Sequence, residues 1–138
     1  MKNLENLIKH SLIFIVTDKK LDRSAWKRAM NSLGVHPDKI ETYESFSEAI
    51  EALGRGLPTA LVSSAVIDDE SASELMQEFR RRQPDRSEAI LGILANSQEE
   101  VFELDILENE VDVFLTKPYA ANNLKEAFEK ALKTKTEI

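Results

Sequence analysis

The sequence predicts one α/β domain built on a parallel sheet. Three observations carry this expectation. Five short apolar runs recur along the chain, and a stretch with helical spacing follows each of them. Helix-start signals stand between several of these pairs. The length of 138 residues is that of a single domain.

The elements follow in order. Leu12 to Val16 is a compact apolar run rich in β-branched residues, which reads as a strand buried on both faces. From Leu21 to Leu33 the apolar positions Leu21, Ala25, Ala29, Met30 and Leu33 have helical spacing, and Gly34 stands where a C-terminal cap belongs. Lys39 to Tyr43 is a weaker strand. Ser45 and Glu48 have capping-box spacing ahead of Ala49, Ile50 and Leu53, and Gly54 and Gly56 stop that helix. Thr59 to Ser64 is a second buried strand. Asp68, Asp69 and Glu70 read as a solvated polar loop, with a second capping box at Ser71 and Glu74 before the stripe Ala72, Leu75, Met76 and Phe79.

Pro84 ends the polar stretch after that helix. Ala89 to Ala95 is the fourth strand, Ser97 and Glu100 a third capping box, and Val101, Leu104 and Leu107 the helix behind it. Val111 to Leu115 is the fifth strand, followed at once by Lys117 and Pro118. The last helix carries Leu124, Ala127, Phe128, Ala131 and Leu132. Alternation of this kind implies helices on both faces of a parallel sheet, joined by right-handed crossovers. Residues 12–134 form the domain, 1–11 an N-terminal extension and 135–138 a tail. Leu4, Leu7 and Ile8 of the extension have helical spacing, which fits a docking helix, a homodimer contact or a frayed end.

Composition narrows the function classes. The chain has no cysteine, so disulfides and thiolate metal sites are excluded. His10 and His36 are isolated and suggest no zinc site. A net charge of −7 disfavours nucleic acid, whose binding rests on neutralising phosphates. No segment reaches the ~18 consecutive apolar residues of a membrane span, and the charged start is not a signal peptide, so a cytoplasmic location without membrane attachment is expected. With 42% hydrophobic residues the chain can bury a core.

In doubly wound sheets, ligands bind outside the carboxyl ends of the strands. Those ends are followed here by Thr17 and Asp18, by Ser64 and Ala65, by Ala95 and Asn96, and by Thr116 and Lys117. The order of the elements, with the run Phe114-Leu115-Thr116-Lys117-Pro118, resembles a response-regulator receiver domain over roughly Leu12 to Lys133. The resemblance implies a flavodoxin-like, CheY-like (βα)5 fold with five parallel strands in the order 2-1-3-4-5. It also implies positions for a phosphorylation site. Two acidic residues that help hold magnesium fall on Thr17 and Asp18, and the phosphoacceptor aspartate falls on Ser64. The switch Thr or Ser falls on Ala95, the lysine on Lys117, and the switch aromatic on Phe114, while Pro118 matches a proline usually preceded by a cis bond. Only Asp18 and Lys117 keep the residue types of the family's acidic and basic site groups.

The losses have chemical weight. A serine hydroxyl is neutral and needs a nearby base before it attacks, whereas phosphoryl transfer needs an anionic oxygen and a divalent cation. One carboxylate is a poor magnesium cage. Ala95 has no hydroxyl to bond a phosphoryl oxygen. The reading is therefore a pseudo-receiver: no cofactor, no expected metal (Asp18 being the one candidate ligand), no enzymatic activity, and an expected pair of Lys117 with Asp18 that reaches Ser64 Oγ.

Other residues have bland readings beside sharp ones. Arg80, Arg81, Arg82 and Arg86 are a solvated helix end or a grip for an acidic partner or phosphate. Trp26 is a packing residue or an exposed partner hot spot. Phe114 is expected to sit inward permanently, since Ala95 leaves room. Ser64 is also a candidate for a serine kinase.

Two function classes stand. The first is an interaction module of bacterial two-component-type signalling or motility. In the receiver family partners often use the face of the fourth helix, fifth strand and fifth helix, here Phe102, Glu103, Ile106, Phe114, Tyr119, Asn122 and Lys125. The acidic Glu103, Asp105 and Glu108 suit a signalling partner with a basic patch. With no effector domain expected after the last helix, output would come through binding. The second is a residual metal- or phosphate-responsive switch using Asp18 with Asp68 or Asp69.

Overall fold

The structure, a computed structural model, describes residues 12–82, 90–95, 111–116 and 121–136. Strand β1 spans Ile13–Val16, and helix α1 Lys20–Ser32. A 3-10 turn at Pro37–Lys39 leads into β2, Ile40–Tyr43, and α2 follows at Phe46–Leu53. Strand β3 is Ala60–Ser64, then come β4 at Val66–Ile67, β5 at Glu70–Ser71 and α3 at Ser73–Arg81. Strands β6, Ile90–Ala95, and β7, Val113–Thr116, precede α4 at Ala121–Thr136. Helix α4 runs past the domain boundary expected at 134.

Five strands form one parallel sheet in the order β2-β1-β3-β6-β7. Side chains alternate across it, because successive Cβ atoms of a strand point to opposite faces. Ile13 and Ile15 of β1 pack with Trp26 and Met30 of α1 and with Leu124 and Phe128 of α4. Phe14 and Val16 pack on the other face with Phe46 and Leu53 of α2 and Leu75, Met76 and Phe79 of α3. Each strand thus serves two cores, which is why the runs are continuously apolar.

Ser45 Oγ accepts from Glu48 N at 3.2 Å, the expected cap. Glu48 Oε2 reaches back to Glu44 N at 3.4 Å rather than to Ser45 N. Gly34, with φ of +99°, ends α1 in the left-handed region as anticipated.

Three expectations are corrected. Leu21 is not on the buried stripe of α1 but 84% exposed. Ser71 does not cap α3: the N-cap is Ala72, without a side-chain cap bond, and Ser71 belongs to β5. The polar loop at Asp68–Glu70 is the end of an antiparallel hairpin in which Ile67 pairs with Glu70 and Val66 with Ser71. Its two loop residues, Asp68 and Asp69, both have positive φ, 51° and 65°, the mark of a type I′ turn. The hairpin is anchored by Ile67, which is buried, and by Ala72 N donating to Ala65 O at 2.8 Å. Pro84, the capping box at Ser97 and Glu100, the helix expected over Val101 to Leu107 and the extension 1–11 lie outside the described residues.

Candidate functional site: the carboxyl edge of the sheet

The parallel register decides which residues meet at the carboxyl edge. Val16 is paired with Ser63 and Ser64 with Leu94, so Thr17, next after Val16, falls beside Ser64. Both are buried, Thr17 at 0% and Ser64 at 8% relative exposure. The Ser64 hydroxyl donates to Thr17 Oγ1 at 2.7 Å, a short bond between neutral groups. Thr17 Oγ1 also accepts from Lys19 N at 3.2 Å, and Thr17 N donates to Tyr43 O at 3.0 Å. Arg23 Nη1 donates to Thr17 O at 2.8 Å, while its Nη2 pairs with Glu44 Oε1 at 3.3 Å. The buried Ser63 is satisfied locally, its hydroxyl donating to Ser64 O at 2.9 Å.

Among the described residues this arrangement is a network of hydroxyls and backbone groups, held from outside by the Arg23 guanidinium. Among the described residues neither Ser64 nor Thr17 contacts a carboxylate or an imidazole that could serve as a base. Asp18 is exposed, one step beyond Thr17. Magnesium prefers carboxylate oxygens in near-octahedral geometry, and among the described residues Thr17, Asp18 and Ser64 offer one exposed carboxylate beside two mutually bonded hydroxyls. That donor set does not fit the ion. Asp68 and Asp69 sit on the hairpin turn, and no group of three or more acids or histidines among the described residues could hold a metal.

The other candidates separate. Ala95 ends β6 and is paired in register with Thr116, whereas Phe114 lies beside Ile93. Phe114 therefore does not stand opposite Ala95, and its inward packing lies outside the described residues, as does the pair expected between Lys117 and Asp18. Phe102, Glu103, Ile106, Tyr119 and the bond before Pro118 are also outside them. Asn122 and Lys125 fall on α4.

The arginine run is not one basic cluster. Arg80 is buried at 7% and its Nη2 lies 3.1 Å from Asp112 Oδ2, so the solvated-end reading fails for it. Arg81 and Arg82 both pair with Glu78, at 2.7 and 3.4 Å, and Arg86 lies outside the described residues. Trp26 is wholly buried and meets Phe128 edge-on at 6.4 Å, so it is a core residue and not a surface hot spot. Reading the sequence did not find Arg23 or Asp112. No spacing signal marks either one, since their partners are distant in sequence or are backbone atoms.

No family model and no curated protein matches the chain. Solved structures do. A signal receiver domain of an HD domain-containing protein from Pseudomonas fluorescens Pf-5 aligns with a TM-score of 0.70 and 16% identity, covering 91% of this chain and 88% of that one. A response regulator receiver domain protein from Clostridium thermocellum aligns at 0.72 and 16% identity, over 91% and 96%. A CheY-like receiver domain protein from Methanospirillum hungatei JF-1 aligns at 0.72 and 18% identity, over 91% and 95%. The chain has the receiver fold; at these identities the likeness is one of fold. Among the described residues no helix is long and apolar enough to cross a membrane.

Proposed function

We propose that this chain is a phosphorylation-independent pseudo-receiver, a cytoplasmic protein–protein interaction module of two-component-type signalling or motility, without enzymatic activity of its own. The observation that carries the reading is the Ser64–Thr17 hydrogen bond. At the position where receivers keep the phosphoacceptor, a neutral hydroxyl has its proton committed to a buried neighbour. A nucleophile there would need an anionic oxygen, and a magnesium ion would need carboxylates, and the described residues of the edge supply neither pattern. A receiver fold with that chemistry removed retains what folds of this kind also offer, a rigid surface for partners.

The face of β7, α4 and the helix that the sequence predicts over Val101 to Leu107, with Phe114, Asn122 and Lys125 among its residues, is the expected place for a signalling partner with a basic patch. The test is an amide NMR titration with magnesium and then beryllofluoride, a phosphoryl mimic. Signals of Asp18, Thr17, Ser64 and Lys117 that stay in place at millimolar magnesium support the reading. Saturable shifts that spread to Phe114 would overturn it in favour of a residual metal-responsive switch.

A further inference from the structure

Opposite charges gather over an apolar floor beside the edge strand β2, where α2 ends. Leu12 and Phe14 of the first strand region, Tyr43 of β2 and Ala52 of α2 border a cavity of about 160 Å³ there. Phe14 and Ala52 are buried and form its floor. Glu41 and Arg55, both exposed, stand at its rim. Gly56 borders it as well, and a Cβ at Gly56 would meet nothing within 4 Å.

The polar groups converge on one hydroxyl. Glu41 and Tyr43 are two apart in β2, so their side chains share a face of the sheet. The Tyr43 hydroxyl donates to Glu41 Oε2 at 2.8 Å, and its ring meets Phe14 edge-on at 5.1 Å. Burial and the Glu41 carboxylate push that hydroxyl above the usual tyrosine value, while the nearby Arg55 guanidinium pulls it the other way. A carboxylate and a guanidinium thus flank a single phenol. Among the described residues these two charges form no direct ion pair, and Arg55 pairs instead with Glu51 at 3.5 Å.

We propose that this cavity binds a free α-amino acid with a branched aliphatic side chain, its ammonium at Glu41, its carboxylate at Arg55 and its side chain over Leu12, Phe14 and Ala52. The lining selects this class by chemistry. A simple amine would satisfy Glu41 and be repelled by Arg55, and a simple carboxylate or phosphate would meet the reverse. A zwitterion with both charges on adjacent groups satisfies both, and an aliphatic side chain matches the floor. Size agrees: a water takes about 10–15 Å³ of such space, so the cavity has room for roughly ten to sixteen non-hydrogen atoms, which suits an amino acid and excludes a nucleotide. The site goes beyond the interaction-module reading and uses none of the residues at the carboxyl edge, so the two fail separately.

The experiment is an amide NMR titration of the full chain with leucine, run beside isoamylamine and isocaproic acid, which are leucine without its carboxyl and without its amino group. Expected are saturable shifts on Phe14, Tyr43, Ala52 and Gly56 with leucine and with neither analogue. Glu41→Gln and Arg55→Gln are each expected to weaken binding about two- to fivefold, the scale of exposed charge pairs, and added salt to weaken it as well. Gly56→Leu is expected to fill the cavity and abolish the shifts while the melting temperature holds, because its Cβ enters open space. No saturable shift up to about 10 mM leucine, far weaker than a millimolar Kd, overturns the proposal. So does an equal response to either analogue, or binding undiminished in a folded Gly56→Leu variant. A beryllofluoride response with leucine binding intact would overturn the pseudo-receiver reading and leave this site standing.

Discussion

Arg80 and Asp112 join α3 to the start of β7 through a 3.1 Å ion pair whose side chains are 6% and 20% exposed. Asp112 Oδ2 also accepts from Leu91 N at 2.9 Å, so one carboxylate ties a helix, a strand and the approach to another strand. The Arg80 guanidinium additionally stands 5.7 Å from the centroid of the Phe79 ring. Removing one member of such a pair strands the other. Arg80→Met and Asp112→Ala are each expected to destabilise toward the lower end of about 3–5 kcal/mol, because Asp112 retains some solvent. Chemical denaturation of both single variants and the double variant measures this, and the double is expected to lose less than the sum. Additive losses would mean that the two residues act independently.

The Ser64–Thr17 bond predicts a coupling of its own. Ser64→Ala and Thr17→Val each remove one hydroxyl from a buried pair, with an expected loss of about 1–3 kcal/mol apiece, since each strands a polar neighbour. Thr17→Val is expected to cost more, because Lys19 N loses its acceptor as well. The double variant should recover part of the loss. Ser64→Asp, which writes in the residue type of the receiver phosphoacceptor, is expected to destabilise the fold without creating magnesium affinity, because Thr17 leaves no third carboxylate beside Asp18 and the new aspartate. A melting curve with and without magnesium reads both.

The hairpin turn predicts a gain. Asp68 and Asp69 both occupy positive φ, where a Cβ is unfavourable and where Asn-Gly is the preferred pair. Asp69→Gly is expected to raise stability by up to about 1 kcal/mol, because relief of the left-handed penalty of about 1–2 kcal/mol outweighs the roughly 0.5–1 kcal/mol that glycine costs in unfolded-chain entropy, seen as a melting temperature higher by a few degrees. An unchanged or lower melting temperature would show that the Asp69 side chain contributes something to offset its backbone conformation.

Glu78 predicts a pH signature. Hydrogen bonding to Arg81, together with the positive charges of Arg81 and Arg82, holds its carboxyl below the usual glutamate value. A depressed folded-state pKa means that the contribution is present above the unfolded value and is lost as the pH falls through the folded one. Carboxyl NMR titration of Glu78 should show this low midpoint, and Arg81→Ala should move it up toward the ordinary value. The group lies at the surface, so added salt is expected to reduce the difference.

Local chemistry and periodicity were enough to read much of this protein from its residues. The apolar runs at Ile13–Val16 and Ala60–Ser64, the cap at Ser45 and the left-handed end at Gly34 are short-range features, and each is found at its place. The positions of Thr17, Asp18, Ser64 and Ala95 at the strand ends were legible for the same reason, because a strand's end follows from where its apolar run stops. Tertiary structure alone decided the rest. That Ser64 bonds Thr17 depends on the register between β1 and β3, which connects residues 47 positions apart. That Arg80 is buried against Asp112, while Arg81 and Arg82 turn to Glu78, depends on where α3 sits on the sheet. Leu21 had the spacing of a core residue and lies in solvent, since periodicity names a face of a helix but not the neighbour that covers it. The hairpin at Asp68–Asp69 was hidden because aspartates in positive φ look in sequence like any polar loop.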